Sequence, residues 1–118
     1  MKRFLKSFGY AFNGLIYFFK NEKNGQIEIF AGILAIIFGF VLHISTTEWF
    51  MVLLCIGGVL ALEMLNSSIE KLIDHLHPEK HDNIKVVKDM AAGAVTIFSL
   101  IALIIGALVF VPKIVSLF

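Results

Sequence analysis

Residues 29–47, 49–62 and 90–112 contain no Asp, Glu, Lys or Arg. A helix crosses the ~30 Å hydrocarbon core of a bilayer with about 20 mainly apolar residues, so these stretches are read as three spans, 27–44, 48–67 and 90–111. The composition agrees, with 58% hydrophobic and 16% charged residues and a mean hydropathy of +0.89, where a soluble domain carries roughly a quarter charged. The expected fold class is an all-α membrane protein, with an N-terminal amphipathic surface helix (1–21) ahead of three transmembrane helices. No linker, repeat or low-complexity segment divides residues 1–118, so one domain is expected.

The retained charges orient the chain. Lys2, Arg3, Lys6, Lys20 and Lys23 precede the first span, and Lys71, Lys80, Lys85 and Lys88 lie between the second and third. None falls between the first and second, and Lys113 follows the third. By the positive-inside rule the N-terminus and residues 71–89 are cytoplasmic and the C-terminus lies outside. At about 100° per residue, Phe4, Phe8, Ala11, Leu15 and Phe19 share one side of the N-terminal helix, and Lys2, Lys6, Asn13 and Lys20 gather opposite, the pattern of a helix lying on membrane lipids. Asn24-Gly25 is expected to break that helix before the first span. Residues 43–48 read as a tight external turn with Trp49 at interfacial depth, and Pro112 as the end of the third span.

Other classes fall away. A net charge of +1 without a Lys/Arg block excludes a general nucleic-acid binder. The single Cys55 excludes an intramolecular disulfide and a cysteine-cluster metal site, and reads as a packing thiol. The N-terminus is basic and then apolar, but it lacks an A-x-A-like cleavage site and is expected to be retained. There is no G-x-x-x-x-G-K-[ST], G-x-G-x-x-G or H-R-D signature, so any nucleotide chemistry proceeds without a soluble nucleotide-binding fold.

The second span does not end cleanly. Taking Glu63 as zero, Asn66, Glu70 and Asp74 fall at about −60°, −20° and +20° on a helix, so the helix is expected to run on into the cytoplasm with one polar stripe. Glu63 then lies at the edge of hydrocarbon, where a carboxylate costs about 2.5–3.5 kcal/mol on insertion scales unless paired, hydrated or protonated. An interhelical clamp with Asn66 and Ser67 is the structural alternative to function. Glu22 before the first span and Lys88-Asp89 at the mouth of the third stand at the same interface. Converging carboxylates suit a hard divalent cation such as Mg²⁺, and a lysine at that depth suits phosphate; Lys88-Asp89 alone would equally serve as a solvated helix start. Ala91-Ala92-Gly93-Ala94 is expected to admit a neighbouring helix. His75, His77 and His81 match no metal-ligand spacing and read as surface residues.

The residues Glu63-Met-Leu-Asn-Ser-Ser-Ile-Glu70 and Lys88-Asp89-Met-Ala-Ala-Gly-Ala-Val95 resemble the E-x-x-N-[ST]-x-I-E and K-D-x-x-x-x-A-V signatures of the small bacterial diacylglycerol kinase and undecaprenol kinase family. The resemblance covers nearly the whole chain, including Gly9-Tyr10 and Asn21-Glu22. It implies a multi-pass homotrimer of the bacterial inner membrane that moves the γ-phosphoryl group of ATP to a lipid alcohol, with each site built from more than one subunit. It further implies Glu63 as general base, and Glu22 and Glu70 as ligands of Mg²⁺ or another divalent cation. Asn66, Lys88 and Asp89 would position or neutralise the phosphoryl group, with Arg3, Tyr10, Glu79, Lys80 and His81 as outlying nucleotide contacts. Gln26 departs from the family, which commonly has Arg there, and Glu28 has no assigned role. The loop around Pro78 and the Ala-Ala-Gly-Ala-Val run look more like the undecaprenol kinase branch than the diacylglycerol kinase branch.

The resulting expectation is an ATP-dependent kinase producing undecaprenyl phosphate or phosphatidic acid. Two other classes stay open at this point: a small proton- or ion-conducting assembly using the acidic stripe, and a non-catalytic membrane partner.

Overall fold

The computed structural model describes residues 1–79 and 81–118. Four helices follow one another: α1 (Lys2–Asn21), α2 (Lys23–Val41), α3 (Thr46–Leu76) and α4 (Asp82–Val115). Among the described residues, α2, α3 and α4 are long and apolar enough to cross a membrane. α3 packs against both α2 and α4, while α1 rests on α2, and the whole measures 55 × 42 × 22 Å. At ~1.5 Å per residue, the 31 residues of α3 and 34 of α4 reach well beyond a ~30 Å hydrocarbon core. Their surplus length carries the charges of residues 70–76 and 82–89.

The joint between α1 and α2 corrects the expected break at Asn24-Gly25. Only Glu22 leaves the helical region, with φ −100° and ψ 115°, and Asn24 and Gly25 already lie in the first turn of α2. Gln26 makes the sharp joint tolerable, because its Nε2 donates to the carbonyls of Phe19 (3.1 Å) and Lys20 (3.2 Å) at the end of α1. Gly25 is needed for space rather than for a break: a Cβ there would meet the Phe18 ring at 2.5 Å.

α2 stops at Val41. His43 adopts φ 52°, the left-handed conformation that closes many helices, and the Ile44 N–H returns to the Gly39 carbonyl at 3.1 Å. Ser45 then starts α3 with a capping box. Its Oγ accepts from the Glu48 N–H at 3.2 Å, and Glu48 Oε1 accepts from the Ser45 N–H at 2.9 Å. As expected, α3 runs on past the second span to Leu76. α4 begins at Asp82, placing Lys88-Asp89 in its second turn rather than at its start, and continues through Pro112 to Val115.

Ile44, Val52 and Val109 form the buried cluster at the His43 end, flanked by Trp49, Ile56 and Phe110. Close approach comes from rings seated on glycines, Trp49 on Gly39 and Phe98 on Gly58. Gly93 of the small run 91–94 does not serve this purpose within the chain, as nothing lies within 4 Å of a Cβ built on it. Most large apolar side chains face outward, among them Phe40, Leu54, Leu103 and Leu108. So broad an apolar surface suits lipid rather than water.

Candidate active site

The polar stripe of α3 lies at the end of the bundle opposite that cluster. Glu63 is 5% exposed and Ser67, one turn on, 8%, because α2 and α4 flank α3 there. Asn66 Oδ1 is buried without a hydrogen-bond partner, as is Oε2 of Glu28 on α2. An unsatisfied buried acceptor costs about 1–3 kcal/mol, and acceptors are completed by a donor such as a hydroxyl. Asn24, Glu63, Asn66, Thr96 and Ser99 border a 330 Å³ cavity between the three helices. Ser99 also borders a second cavity of 330 Å³, apolar along its length, with Glu28 among its few polar lining residues.

Beyond Glu63, ion pairs tie the helices together. Lys88 Nζ of α4 lies 2.6 Å from Asp74 Oδ1 of α3, and Lys85 pairs with Asp89 at 2.6 Å along α4. Lys71 Nζ of α3 reaches Glu22 Oε1 at the α1–α2 joint, 3.1 Å away, and sits 5.3 Å from the centre of the Tyr17 ring. The hydrogen bond that Lys88 donates to Asp74 raises its pKa above the ordinary lysine value, and the one that Lys71 donates to Glu22 does the same for Lys71. Both therefore stay cationic at neutral pH.

Glu63, Asn66, Glu70 and Asp74 follow one another along α3, and Lys88 joins them through Asp74. Asp89 instead turns to Lys85. Glu22 meets Lys71, the neighbour of Glu70, and Glu70 is exposed. Arg3 and Tyr10 are exposed on α1 and make no side-chain hydrogen bond or ion pair with this group among the described residues. Glu79 is exposed between α3 and α4, and Lys80 lies outside the described residues. His81 caps α4, its Nδ1 accepting from the Asn83 N–H at 3.1 Å. Among the described residues of one chain, no three His, Cys, Asp or Glu side chains converge as a metal cage.

Sequence reasoning missed the Lys71–Glu22 pair, the bed that Tyr17 gives it, and Thr96 and Ser99 of α4. Thr96 and Ser99 carried a signal, being polar residues one helical turn apart inside a charge-free run. Lys71 carried none, because its partners are some fifty residues away in sequence.

The profile described as prokaryotic diacylglycerol kinase matches residues 9–110. The chain is 41% identical over 113 residues to an undecaprenol kinase of Bacillus subtilis, an alignment covering 96% of this chain and 92% of that protein. It is 33% identical over 114 residues to a diacylglycerol kinase of Synechocystis, covering 96% and 65%. To a diacylglycerol kinase of Escherichia coli K12 it is 30% identical over 102 residues, covering 86% and 84%.

Proposed function

The chain belongs to the prokaryotic diacylglycerol kinase family, and from that premise we propose that its charged end is the active site at which a lipid alcohol receives the γ-phosphoryl group of ATP. The protein is a membrane lipid kinase with ATP as phosphoryl donor; an ion-conducting assembly is not favoured. The observation that carries the site is the buried Glu63 carboxylate, bordering a cavity beside an unpartnered Asn66 oxygen.

Phosphoryl transfer depends on positioning and charge neutralisation more than on covalent catalysis. The lipid hydroxyl oxygen attacks the γ-phosphorus, the bond to ADP breaks, and the hydroxyl proton passes to Glu63 as general base. Asn66 orients the reacting groups, and Lys88 with Asp89 steadies the phosphates. Asp74 keeps Lys88 in place between α3 and α4. Arg3, Tyr10, Glu79, Lys80 and His81 complete the nucleotide contacts from the cytoplasm.

Glu22 and Glu70 offer hard carboxylate oxygens, the donor type that magnesium prefers, and magnesium is commonly held by one or two carboxylates together with substrate phosphates. The residues present therefore fit such an ion, which when bound would neutralise charge on the phosphate oxygens. The family resemblance supports a homotrimer whose sites draw on more than one subunit. The charge distribution supports an inner-membrane protein with a cytoplasmic N-terminus, an outward C-terminus and α1 on the membrane surface. Residues 1–118 then form one domain, with spans within 27–44, 48–67 and 90–111.

The identity to an undecaprenol kinase supports undecaprenol as the better acceptor, giving undecaprenyl phosphate, with diacylglycerol yielding phosphatidic acid as the second reading. Purified protein in mixed micelles, given γ-labelled ATP and a panel of undecaprenol, shorter isoprenols and diacylglycerols, should label undecaprenol fastest. A faster reaction with diacylglycerol reverses the substrate assignment, and labelling of no lipid alcohol by a folded trimer overturns the activity.

A further inference from the structure

Lys71 lies within the candidate site without a role in the reaction so far described. Lys71 Nζ is 3.1 Å from Glu22 Oε1, one of the two carboxylates assigned to the metal, and the next residue back on α3 is Glu70, the other. Tyr17 of α1 supports the ammonium at 5.3 Å. Glu22 is itself fixed, its N–H bonded to the Phe18 carbonyl at 2.9 Å in the single non-helical residue between α1 and α2. α1, α3 and the α1–α2 joint thus meet at this lysine.

We propose that Lys71 is a placeholder for the metal: it neutralises Glu22 until the metal binds, and yields that carboxylate to the cation arriving with ATP. The inference rests on the metal role assigned to Glu22. A carboxylate as sheltered as Glu22, its side chain 26% exposed, is stabilised by a cation at 3.1 Å until the metal binds. The pair is suited to being exchanged. The Lys71 side chain is 52% exposed, and exposed ion pairs are weak, so a divalent cation coordinated by carboxylate and phosphate displaces it readily. Once displaced, the ammonium stays tethered next to Glu70, where the phosphates arrive, and turns from a carboxylate to a phosphate oxygen. Loss of Lys71 should then act in opposite directions on the two ligands, helping the metal alone and hindering the nucleotide.

The test measures Mn²⁺ binding by electron paramagnetic resonance without ATP, and separately Mg-ATP binding by equilibrium dialysis, on full-length protein in micelles. Lys71→Gln should tighten Mn²⁺ binding about two- to fivefold and weaken Mg-ATP binding by a similar factor. Lys71→Arg, which keeps the charge, should leave Mn²⁺ binding near wild type. Lys23→Gln removes an equal charge adjacent to Glu22 in sequence and should move Mn²⁺ affinity less than Lys71→Gln. If Lys71→Gln leaves Mn²⁺ affinity unchanged or weaker, or if Lys23→Gln tightens it as much, the placeholder is refuted. Glu22→Gln separates the two readings. Weaker Mn²⁺ binding in that variant upholds the metal role whatever Lys71 does, and unchanged binding removes the metal role and the placeholder together.

Discussion

Each end of the α2–α4 bundle holds a carboxylate on α3, and the two are treated in opposite ways. At the His43 end, Glu48 is fully engaged: it accepts the Ser45 N–H, lies 3.4 Å from Lys113, and sits beside the buried cluster of Ile44, Val52 and Val109. At the other end, Glu63 is more deeply buried, yet it borders a cavity beside an oxygen of Asn66 that has no partner. One end spends its polar groups on closing the helices. The other leaves them directed at something outside the chain, a pattern characteristic of functional sites.

The comparison is broken most sharply by Lys88→Gln. If the charged end performs the chemistry, turnover should fall roughly 10²–10³-fold, as when a group that stabilises transition-state charge is removed, while circular dichroism keeps its helical signal. A smaller effect is expected for Glu70→Gln, which should raise the Mg²⁺ concentration needed for half-maximal rate by about tenfold, judged on the scale of altered metal sites, at near-normal saturated turnover.

At the opposite end the effects should appear in stability instead. Gly39→Val places a Cβ 2.6 Å from the Trp49 ring and should cost about 1–3 kcal/mol by overpacking, read as a lower midpoint in denaturant with turnover per folded molecule unchanged. Ser45→Ala removes the cap of α3 and should cost about 1 kcal/mol in the same measurement. If either variant lowers turnover per folded molecule while stability holds, the division between the ends is wrong.

The sequence made the division partly legible. Charge-free runs located the three apolar helices, and the helical spacing of Glu63, Asn66, Glu70 and Asp74 located the stripe, because both signals are periodic and local. Ends of helices were less legible, since they are decided by single contacts. Gln26 capping α1 moved the break to Glu22, and the left-handed His43 ended α2 at Val41. The cross-helix pairs Lys71–Glu22 and Lys88–Asp74 were not legible at all. They arise from how α1, α3 and α4 pack, and a sequence period along one helix carries no information about its neighbours.

The central claim concerns which end acts, and the two α3 carboxylates test it directly. A single-turnover measurement follows label from the γ-position of ATP into undecaprenol, comparing Glu63→Gln with Glu48→Gln at equal folded concentration. The account predicts a rate at least about 10²-fold lower for Glu63→Gln, and for Glu48→Gln a rate within about twofold of wild type despite its weakened cap. Equal rates for the two variants, or a collapse confined to Glu48→Gln, would contradict it.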